Sequence, residues 1–332
     1  MLGFIVRRLI SAFLVVTATS MIVFSLFYLG PSNPAAPLCE GAGGRCTPER
    51  LAVIEKAMGL DKNVVVAYGE WARGLVKDRT VQAGGTYECS APCLGISYGT
   101  RGEVTDELRD KYPATVSLAV GGAIIYLLLG VLLGSLAARW RGTAADRLLV
   151  GASLVVSSIT YYLFALLAWI FLTLQWEIFP TTGYTPVTEN PAAWASGLLL
   201  PWLVLGITNS TQYARFTRGQ MVETLGEDYI RTATAKGVPS NKVIFKHGLR
   251  AAIVPVVTIF GLDFAALLAG TVFTEQIFEI DGIGRWGLNA IQSPQDFPVI
   301  SATVLVGATL VVLGNLVVDI MYSFLDPRVR VG

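Results

Sequence analysis

The sequence of 332 residues is short of charged side chains and contains a single histidine. Asp, Glu, Lys and Arg together make up 15% of it, whereas soluble domains carry about 25%. His247 alone supports neither a histidine-based metal cluster nor a serine–histidine triad, and the phosphate-binding pattern G-x-x-x-x-G-K-[ST] is missing. The net charge of +1 gives no basic surface for nucleic acid. We therefore expect a protein that is not an enzyme, binds no metal or cofactor itself and has no nucleic-acid partner.

Long apolar runs are what the sequence has in quantity. Hydrophobic residues make up 53% of it, and a helix needs about 20 mostly apolar residues to cross a bilayer. Six segments fit such helices: residues 9–29, 114–138, 148–174, 197–213, 251–273 and 299–324. The first is favoured as a retained helix over a cleavable signal peptide, because its apolar run is longer than the usual core of a signal peptide. The expected fold is an all-α membrane protein with about six transmembrane helices.

Lys and Arg in the short loops predict the orientation, because cytoplasmic loops carry an excess of both. Arg7, Arg8, residues 139–147 and residues 214–250 supply these charges on one side, whereas the opposite loops at 175–196 and 274–298 hold only Arg285. We therefore expect a multi-pass protein of the inner membrane with both termini in the cytoplasm. Its expected parts are the N-terminus and first helix (1–30), a large extracytoplasmic cap (31–113), the transmembrane core (114–325) with a cytoplasmic loop at 214–250, and a cytoplasmic tail (326–332).

All four cysteines, Cys39, Cys46, Cys89 and Cys93, fall in the predicted cap. Disulfides persist outside the cytosol and are rare inside it, so the position of the cysteines agrees with the orientation. Their spacings favour the local pairs Cys39–Cys46 and Cys89–Cys93, although four cysteines allow three pairings. A metal site with four thiolates is the alternative, but C-x6-C is not a usual spacing for one.

The loop between the fourth and fifth spans has the clearest local pattern. Residues 229–236 predict a short helix with Asp228 near its start, where the helix dipole favours an anion. Gly237 is placed to end it, and a second helix begins at Asn241 and runs into the fifth span. A short helix, a glycine turn and a second helix would together form a compact knob that fits a groove on another protein. A basic loop that fixes topology and touches anionic lipid is an equally good interpretation of the residues alone.

This stretch resembles the EAA loop of the permease subunits of ABC importers, in the form found in dipeptide and oligopeptide permeases. Arg231, Thr232 and Ala233 stand where the general pattern has Glu-Ala-Ala, Gly237 is the loop glycine and Pro255 ends the motif. Further matches run in the family's order along nearly the whole chain: Arg7 to Leu9, Gly59 to Asp61, Pro113 to Thr115, Glu275 to Phe278 with Gly282 to Gly284, Asp319, and Leu325 to Arg330. The segments around 38–47 and 80–94, which carry the cysteines, and Ser32 to Pro34 depart from the family.

The resemblance implies half of a peptide-conducting pore. A second, related permease subunit would complete the pathway, two cytoplasmic subunits would bind ATP and Mg²⁺, and an extracytoplasmic binding protein would deliver the peptide. The EAA-like loop would then be the contact with the ATPase, and eight residues are expected to form it: Tyr229, Arg231, Thr232, Ala233, Lys236, Gly237, Val238 and Lys242. Importers of nickel, glutathione or oligosaccharides use the same type of permease and remain alternatives, as does a secondary transporter of a different class.

Asp263 is the residue that we expect to line the translocation pathway. It lies in the middle of the fifth predicted span, where an acidic side chain costs about 2.5–3.5 kcal/mol, and it would contact the amino terminus of a peptide. A protonated or hydrogen-bonded Asp263 that only joins two helices is the alternative. Asn315 is a second pathway candidate, whereas Asp319 is expected to anchor the tail.

Overall fold

The computed structural model describes residues 2–29, 33, 35–36, 39, 46–58, 60–83, 85–292 and 295–325. Gly59, Ser32, Pro34, most of residues 38–47 and the predicted tail 326–332 lie outside this set. Five helices among the described residues are long and apolar enough to cross a membrane. They are α1 (Leu2–Leu29), α4 (Val104–Arg139), α7 (Pro191–Thr224), α9 (Ser240–Leu268, with a π-helical part at Val243–Gly248) and α12 (Phe297–Leu325).

The third predicted span is broken instead of continuous. It consists of α5 (Ala144–Ser158) and α6 (Tyr161–Gln175, π-helical from Ile170), which meet at 89°. Ile159 has extended backbone angles at the break. Just before it, the hydroxyls of Ser157 and Ser158 donate to the carbonyls of Ser153 and Leu154, a type of hydrogen bond that often bends helices. Counting this bent pair as one span gives six, so the expected all-α membrane fold with about six spans is confirmed.

Other predicted boundaries shift as well, including those of the fifth span, which was expected at 251–273 and is observed as α9 (Ser240–Leu268). α4 begins at Val104, before the expected Ala114, and carries Pro113 inside it. α7 covers Pro191–Thr224 and not only 197–213, so the predicted loop at 214–250 begins inside a helix. At 1.5 Å per residue, the 34 residues of α7 extend about 50 Å, well beyond the thickness of a bilayer core.

The chain packs as two units. The first contains Met1–Thr115, Leu268–Val272 and Asp281–Leu313, and the second contains Val116–Leu267, Phe273–Ile280 and Gly314–Gly332.

Residues 31–113, the predicted cap, follow α1 and are called the insertion below. Their described part contains both helices and strands. α2 (Pro48–Ala57) and α3 (Val64–Gly74) begin at the side-chain caps of Thr47 and Asn63. An unpredicted hairpin follows, in which β1 (Arg79–Gln82) pairs antiparallel with β2 (Thr86–Cys89). Its buried side is a small core of Ala83, Cys89, Cys93 and Ile96.

Residues 281–313 complete the first unit through polar contacts with the insertion. The carboxylate of Asp296, at the start of α12, accepts from the hydroxyl of Ser97 at 2.6 Å and from the amide of Gly99 at 3.1 Å. Beside α11 (Ile283–Ile291), Lys111 pairs with Asp281 at 2.7 Å. These bonds join parts of the sequence that are far apart along the chain.

Small residues let α4 and α7 approach closely in the second unit. Gly130 and Gly134 form a G-x-x-x-G pattern, which favours close backbone contact between membrane helices. A Cβ atom at Gly134 would lie 2.5 Å from the carbonyl oxygen of Ala214. The neighbouring core contains Ala123, Tyr126, Tyr213 and Val256, so the pair α4–α7 holds the interior of this unit. A short helix, α10 (Val272–Ile277), also belongs largely to it.

Candidate functional site

Residues 226–250, which we call the coupling segment, fold as a short helix, a tight turn and the start of α9. The short helix, α8, covers Asp228–Ala235 and has Asp228 in its first turn, where an anion is favoured. Ile230 is its buried residue, with 4% of its surface exposed. α8 packs against the π-helical part of α9. Ile230 thus fixes α8 on its support and leaves most of its other side chains pointing outward.

The turn is a Schellman motif centred on Gly237. Gly237 has a φ of +77°, a left-handed conformation that glycine adopts without strain. Its amide donates to the carbonyl of Thr234 at 2.9 Å, and the amide of Val238 donates to that of Ala233 at 3.2 Å. These are the two bonds that define the motif at a helix C-terminus. The turn therefore has a fixed shape that depends on its backbone.

The eight residues expected to form the ATPase contact fall into two groups. Ala233 and Val238 are partly buried and occupy the two positions whose apolar contact accompanies a Schellman motif. The other six are exposed: Tyr229, Arg231, Thr232, Lys236, Gly237 and Lys242. Arg231 also pairs with Asp228 at 3.3 Å; both are exposed, so the pair contributes little to stability. Partial burial and then the charge of Glu227 raise the pKa of Tyr229, so its hydroxyl remains a donor at neutral pH.

The base of the coupling segment is anchored by a small core. Met221, Ile244 and Ala252 are buried against Ala138, and Met221 and Ala252 are at most 1% exposed. This core joins the ends of α4 and α7 to the start of α9. A displacement of α8 would therefore be passed to three long helices and not absorbed in a loose loop.

A partly buried ion pair connects a fourth helix, α5, to the end of α7. Arg218, in the last turns of α7, donates from Nε to Oδ1 of Asp146 at 2.7 Å and from Nη2 to Oδ2 at 2.8 Å. The amide of Gly142 donates to the same carboxylate at 2.9 Å. Neither this pair nor the burial of Ile230 was predicted from the sequence. The sequence offered one signal for each. Asp146 is an acidic residue in the first turn of a helix, and Ile230 is a single branched apolar residue in an otherwise polar helix.

Asp263 lies near one end of α9 and not in the middle of a span. The helix ends at Leu268, which places Asp263 about 8 Å from the end at 1.5 Å per residue. Its side chain is exposed, and its Oδ2 accepts a hydrogen bond from the hydroxyl of Tyr213 at 2.7 Å. The Tyr213 ring lies 4.8 Å from that of Tyr126. The structure thus brings an exposed carboxylate together with buried aromatic rings in the second unit.

Asn315, the second pathway candidate, is exposed on α12. Its neighbour Gly314 approaches α9 so closely that a Cβ atom there would lie 2.1 Å from the Cβ of Ala265. Val318 makes a similar contact with Gly261. α9 and this part of α12 therefore pack tightly, with Asn315 outside their contact.

Both disulfides in the insertion are the local pairs expected from the spacing. Cys39 pairs with Cys46 and Cys89 with Cys93, with Cα–Cα distances of 5.3 and 5.5 Å. Within the described residues, no group of three His, Cys, Asp or Glu side chains is arranged to hold a metal ion.

Comparison with known proteins gives two family matches that together cover most of the chain. Residues 130–331 match the binding-protein-dependent transport system inner membrane component, and residues 1–119 match the N-terminal part of such membrane components. A probable peptide ABC transporter permease of Sinorhizobium fredii is 34% identical over 98% of this chain and 99% of its own length. A putative peptide transport system permease of Brucella abortus and the dipeptide transport system permease DppB of Escherichia coli are each 33% identical over 99% of both chains. The resemblance seen in the sequence is confirmed, and the chain belongs to the family of binding-protein-dependent transport system inner membrane components.

Proposed function

We propose that this chain is a membrane-spanning permease subunit of an ABC importer and forms half of the translocation pathway for peptides. The observation that carries the proposal is its full-length similarity to permeases named for peptide and dipeptide transport. The fixed helix–turn–helix of the coupling segment supports it, because a permease without a phosphate-binding loop must receive the work of ATP hydrolysis through a mechanical contact. ATP and Mg²⁺ are used by two partner subunits, and this chain does no chemistry.

The coupling segment is the contact with an ATP-binding subunit. Its outward side offers the Tyr229 ring, 48% exposed, as an apolar centre and three cations, Arg231, Lys236 and Lys242, as a rim. Interfaces commonly combine an aromatic centre with a polar rim. When ATP binding brings the two nucleotide-binding subunits together, α8 moves with its groove, and the core around Met221 passes the movement to α4, α7 and α9.

The sides on which the remaining partners bind follow from the orientation that the loop charges predict. With both termini and the coupling segment in the cytoplasm, the insertion that holds both disulfides faces outward, where disulfides persist. A peptide-binding protein docks on that side and delivers its ligand to the pore. A second, related permease provides the other half of the pathway and covers Asp263 and Asn315, which the isolated chain leaves exposed.

Asp263 contributes to the substrate pathway. Acidic residues within transmembrane helices almost always face the interior of the bundle or a water-filled cavity, so the exposed side of Asp263 belongs against protein or water. The hydrogen bond from Tyr213 holds one of its oxygens and leaves the other free for a cation. The α-ammonium group of a peptide has the charge and the donors to bind there.

The test is reconstitution of the chain with its second permease, ATP-binding subunits and binding protein in lipid vesicles. We expect uptake of short peptides that requires both ATP and the binding protein, and mass spectrometry of the binding protein should identify a bound peptide. Uptake that runs on an ion gradient without ATP would instead indicate a secondary transporter. Nickel, glutathione or an oligosaccharide as the bound ligand would contradict the peptide assignment while retaining the permease role.

A further inference from the structure

A cavity of about 300 Å³ lies in the first unit, beside the end of α1. Its walls come from α1, α3, β1 and the first turns of α12. Residues that line it include Ser20, Phe24, Ala67, Trp71, Arg79 and Tyr98. The volume is at the low end of the roughly 300–1,000 Å³ typical of small-molecule sites. It is therefore large enough for the polar head of an amphipathic molecule.

The cavity lining includes three cations, Lys56, Lys62 and Arg79, and the carboxylate of Glu70, which pairs with Lys62 at 2.7 Å. Arg79 donates from Nε to the sulfur of Cys93 at 3.1 Å and from Nη2 to the carbonyl of Cys93 at 3.5 Å. It forms no salt bridge with any carboxylate in the part of the chain that the structure describes. Burial lowers the pKa of Arg79, and the charge of Glu70 partly opposes this, but a guanidinium stays protonated in proteins. A half-buried cation that has only weak acceptors favours an anion from outside the chain.

The position of Arg79 is fixed by its surroundings. A Cβ atom at Gly74 would lie 2.6 Å from the Cδ and Nε atoms of Arg79, so this glycine leaves the space that the side chain occupies. The amide of Cys93 donates to the carbonyl of Gly74 at 2.9 Å, and the disulfide to Cys89 ties the same loop to β2. The guanidinium is thus held toward the cavity before any ligand binds.

The cavity lies beside the end of an apolar span and a cluster of aromatic rings. Ser20 and Phe24 lie within the apolar span of residues 6–26, whereas Tyr28 follows it. Phe24 packs against Tyr28, Tyr68 and Trp71 with ring centroids 5.5–5.9 Å apart. Tyr and Trp are enriched where a bilayer meets water. An apolar span that ends beside a cluster of aromatic rings is typical of the boundary between the acyl chains and the lipid headgroups.

We propose that this cavity binds the phosphate headgroup of an anionic phospholipid, with Arg79 as the phosphate ligand and α1 as the surface for the acyl chains. α1 is suited to the second task because apolar side chains along its span are widely exposed, including Phe13, Leu14, Ile22 and Leu26. The hydroxyl of Tyr98, which has no hydrogen-bond partner among the described residues, supplies a second donor. The site goes beyond the proposed transport function and does not depend on it.

The test measures lipid retained by the full-length protein, purified from membranes together with the subunits that accompany it. The protein is equilibrated with mixed micelles of equal parts phosphatidylglycerol and phosphatidylcholine, separated by gel filtration and analysed for lipid by mass spectrometry. We expect phosphatidylglycerol to be enriched on the wild type. Arg79→Gln should reduce its retention about tenfold, because a hydrogen bond to a charged group contributes on that scale. The matched control is Arg73→Gln, which removes an exposed arginine at the end of α3 and should leave retention unchanged.

A second variant keeps the cation and removes the space. Ala67→Trp fills the cavity from α3 and should reduce retention as Arg79→Gln does, so a folding defect in either variant alone does not decide the result. Equal retention by the wild type and both variants would overturn the proposal, as would a wild type that shows no preference for phosphatidylglycerol. A final arm compares inorganic phosphate with a short-chain phosphatidylglycerol in thermal unfolding of the protein. If phosphate alone raises the Tm as much as the lipid does, the site binds a soluble anion and the lipid assignment is wrong.

Discussion

Arg218 donates two parallel hydrogen bonds of 2.7 and 2.8 Å to the carboxylate of Asp146. These bonds connect the end of α7 to the first turn of α5. The Asp146 side chain is 6% exposed and that of Arg218 is 29% exposed. Because a planar guanidinium matches both oxygens of a carboxylate, this contact resists rotation as well as separation. It lies where α7 leads into the coupling segment, so it stiffens the part of the chain through which we expect the force of ATP binding to pass.

Arg218→Lys tests this pair. Lysine keeps the charge but cannot form the double hydrogen bond, so we expect a loss of about 1–3 kcal/mol and a lower Tm in purified protein. The control is Arg147→Lys, since Arg147 is exposed on the same helix as Asp146. Equal Tm values for the two variants would show that the bidentate geometry contributes nothing.

Gly237→Leu is expected to abolish peptide transport and substrate-stimulated ATP hydrolysis together, while the subunit still folds. No atom lies within 4 Å of a Cβ built on Gly237, so the substitution acts by straining the left-handed turn and by altering the exposed surface. Gly237→Asn is the control, because asparagine tolerates the left-handed conformation and should retain more coupling. ATPase assays with and without loaded binding protein decide the matter. Normal stimulation in a correctly inserted Gly237→Leu complex would contradict the assignment of the coupling segment.

Gly134→Ala should destabilise the protein by about 1–3 kcal/mol, as expected for overpacking. Alanine normally improves an exposed helix by up to about 1 kcal/mol over glycine, but its Cβ would here press on the carbonyl oxygen of Ala214. Gly151→Ala is the matched control: Gly151 is also inside a helix, and a Cβ atom there meets nothing within 4 Å. Thermal unfolding should move in opposite directions for the two variants, and a shared direction would argue against the close contact of α4 and α7.

Asp263→Asn should reduce uptake of peptides with a free amino terminus more than uptake of N-acetylated peptides. Asparagine can still accept the hydrogen bond from Tyr213, so the local packing is preserved while the negative charge is removed. Competition between the two peptide types in vesicles measures the preference. An unchanged rate and preference would mean that Asp263 does not contact the substrate.

The orientation can be tested with engineered cysteines, because the native four are all paired among themselves. Lys77→Cys lies in the insertion and Lys236→Cys in the coupling segment, and both lysines are exposed. A membrane-impermeant maleimide should label Lys77→Cys in spheroplasts and Lys236→Cys only after the membrane is opened. The reverse pattern would invert the proposed topology.

The parts of the fold that the sequence predicts well are those governed by local chemistry. The apolar runs predict the spanning helices because a helix pairs the hydrogen-bonding groups of its backbone within its own segment, as lipid requires. Gly237 is foreseeable because a left-handed residue after a helix is usually glycine. The two disulfides are foreseeable because their cysteines are close neighbours along the chain.

The features that escaped prediction depend on partners distant in sequence or on competing local bonds. Asp146 and Arg218 are 72 positions apart, and nothing local to either specifies the other. The bend at Ile159 arises where serine hydroxyls compete for backbone carbonyls inside an apolar run that otherwise favours one helix. The hairpin of β1 and β2 has only four residues in each strand, too few to show a clear alternation.

The Schellman turn at Gly237 has a consequence for how the proposed coupling surface can evolve. The shape of the turn is fixed by two backbone hydrogen bonds and one left-handed glycine. The buried Ile230 anchors the helix that precedes the turn. The outward side chains of Tyr229, Arg231, Thr232, Lys236 and Lys242 are therefore free to change without altering the backbone that presents them. After a gene duplication, two permeases could keep one geometry of contact and acquire different ATPase preferences by a few surface substitutions.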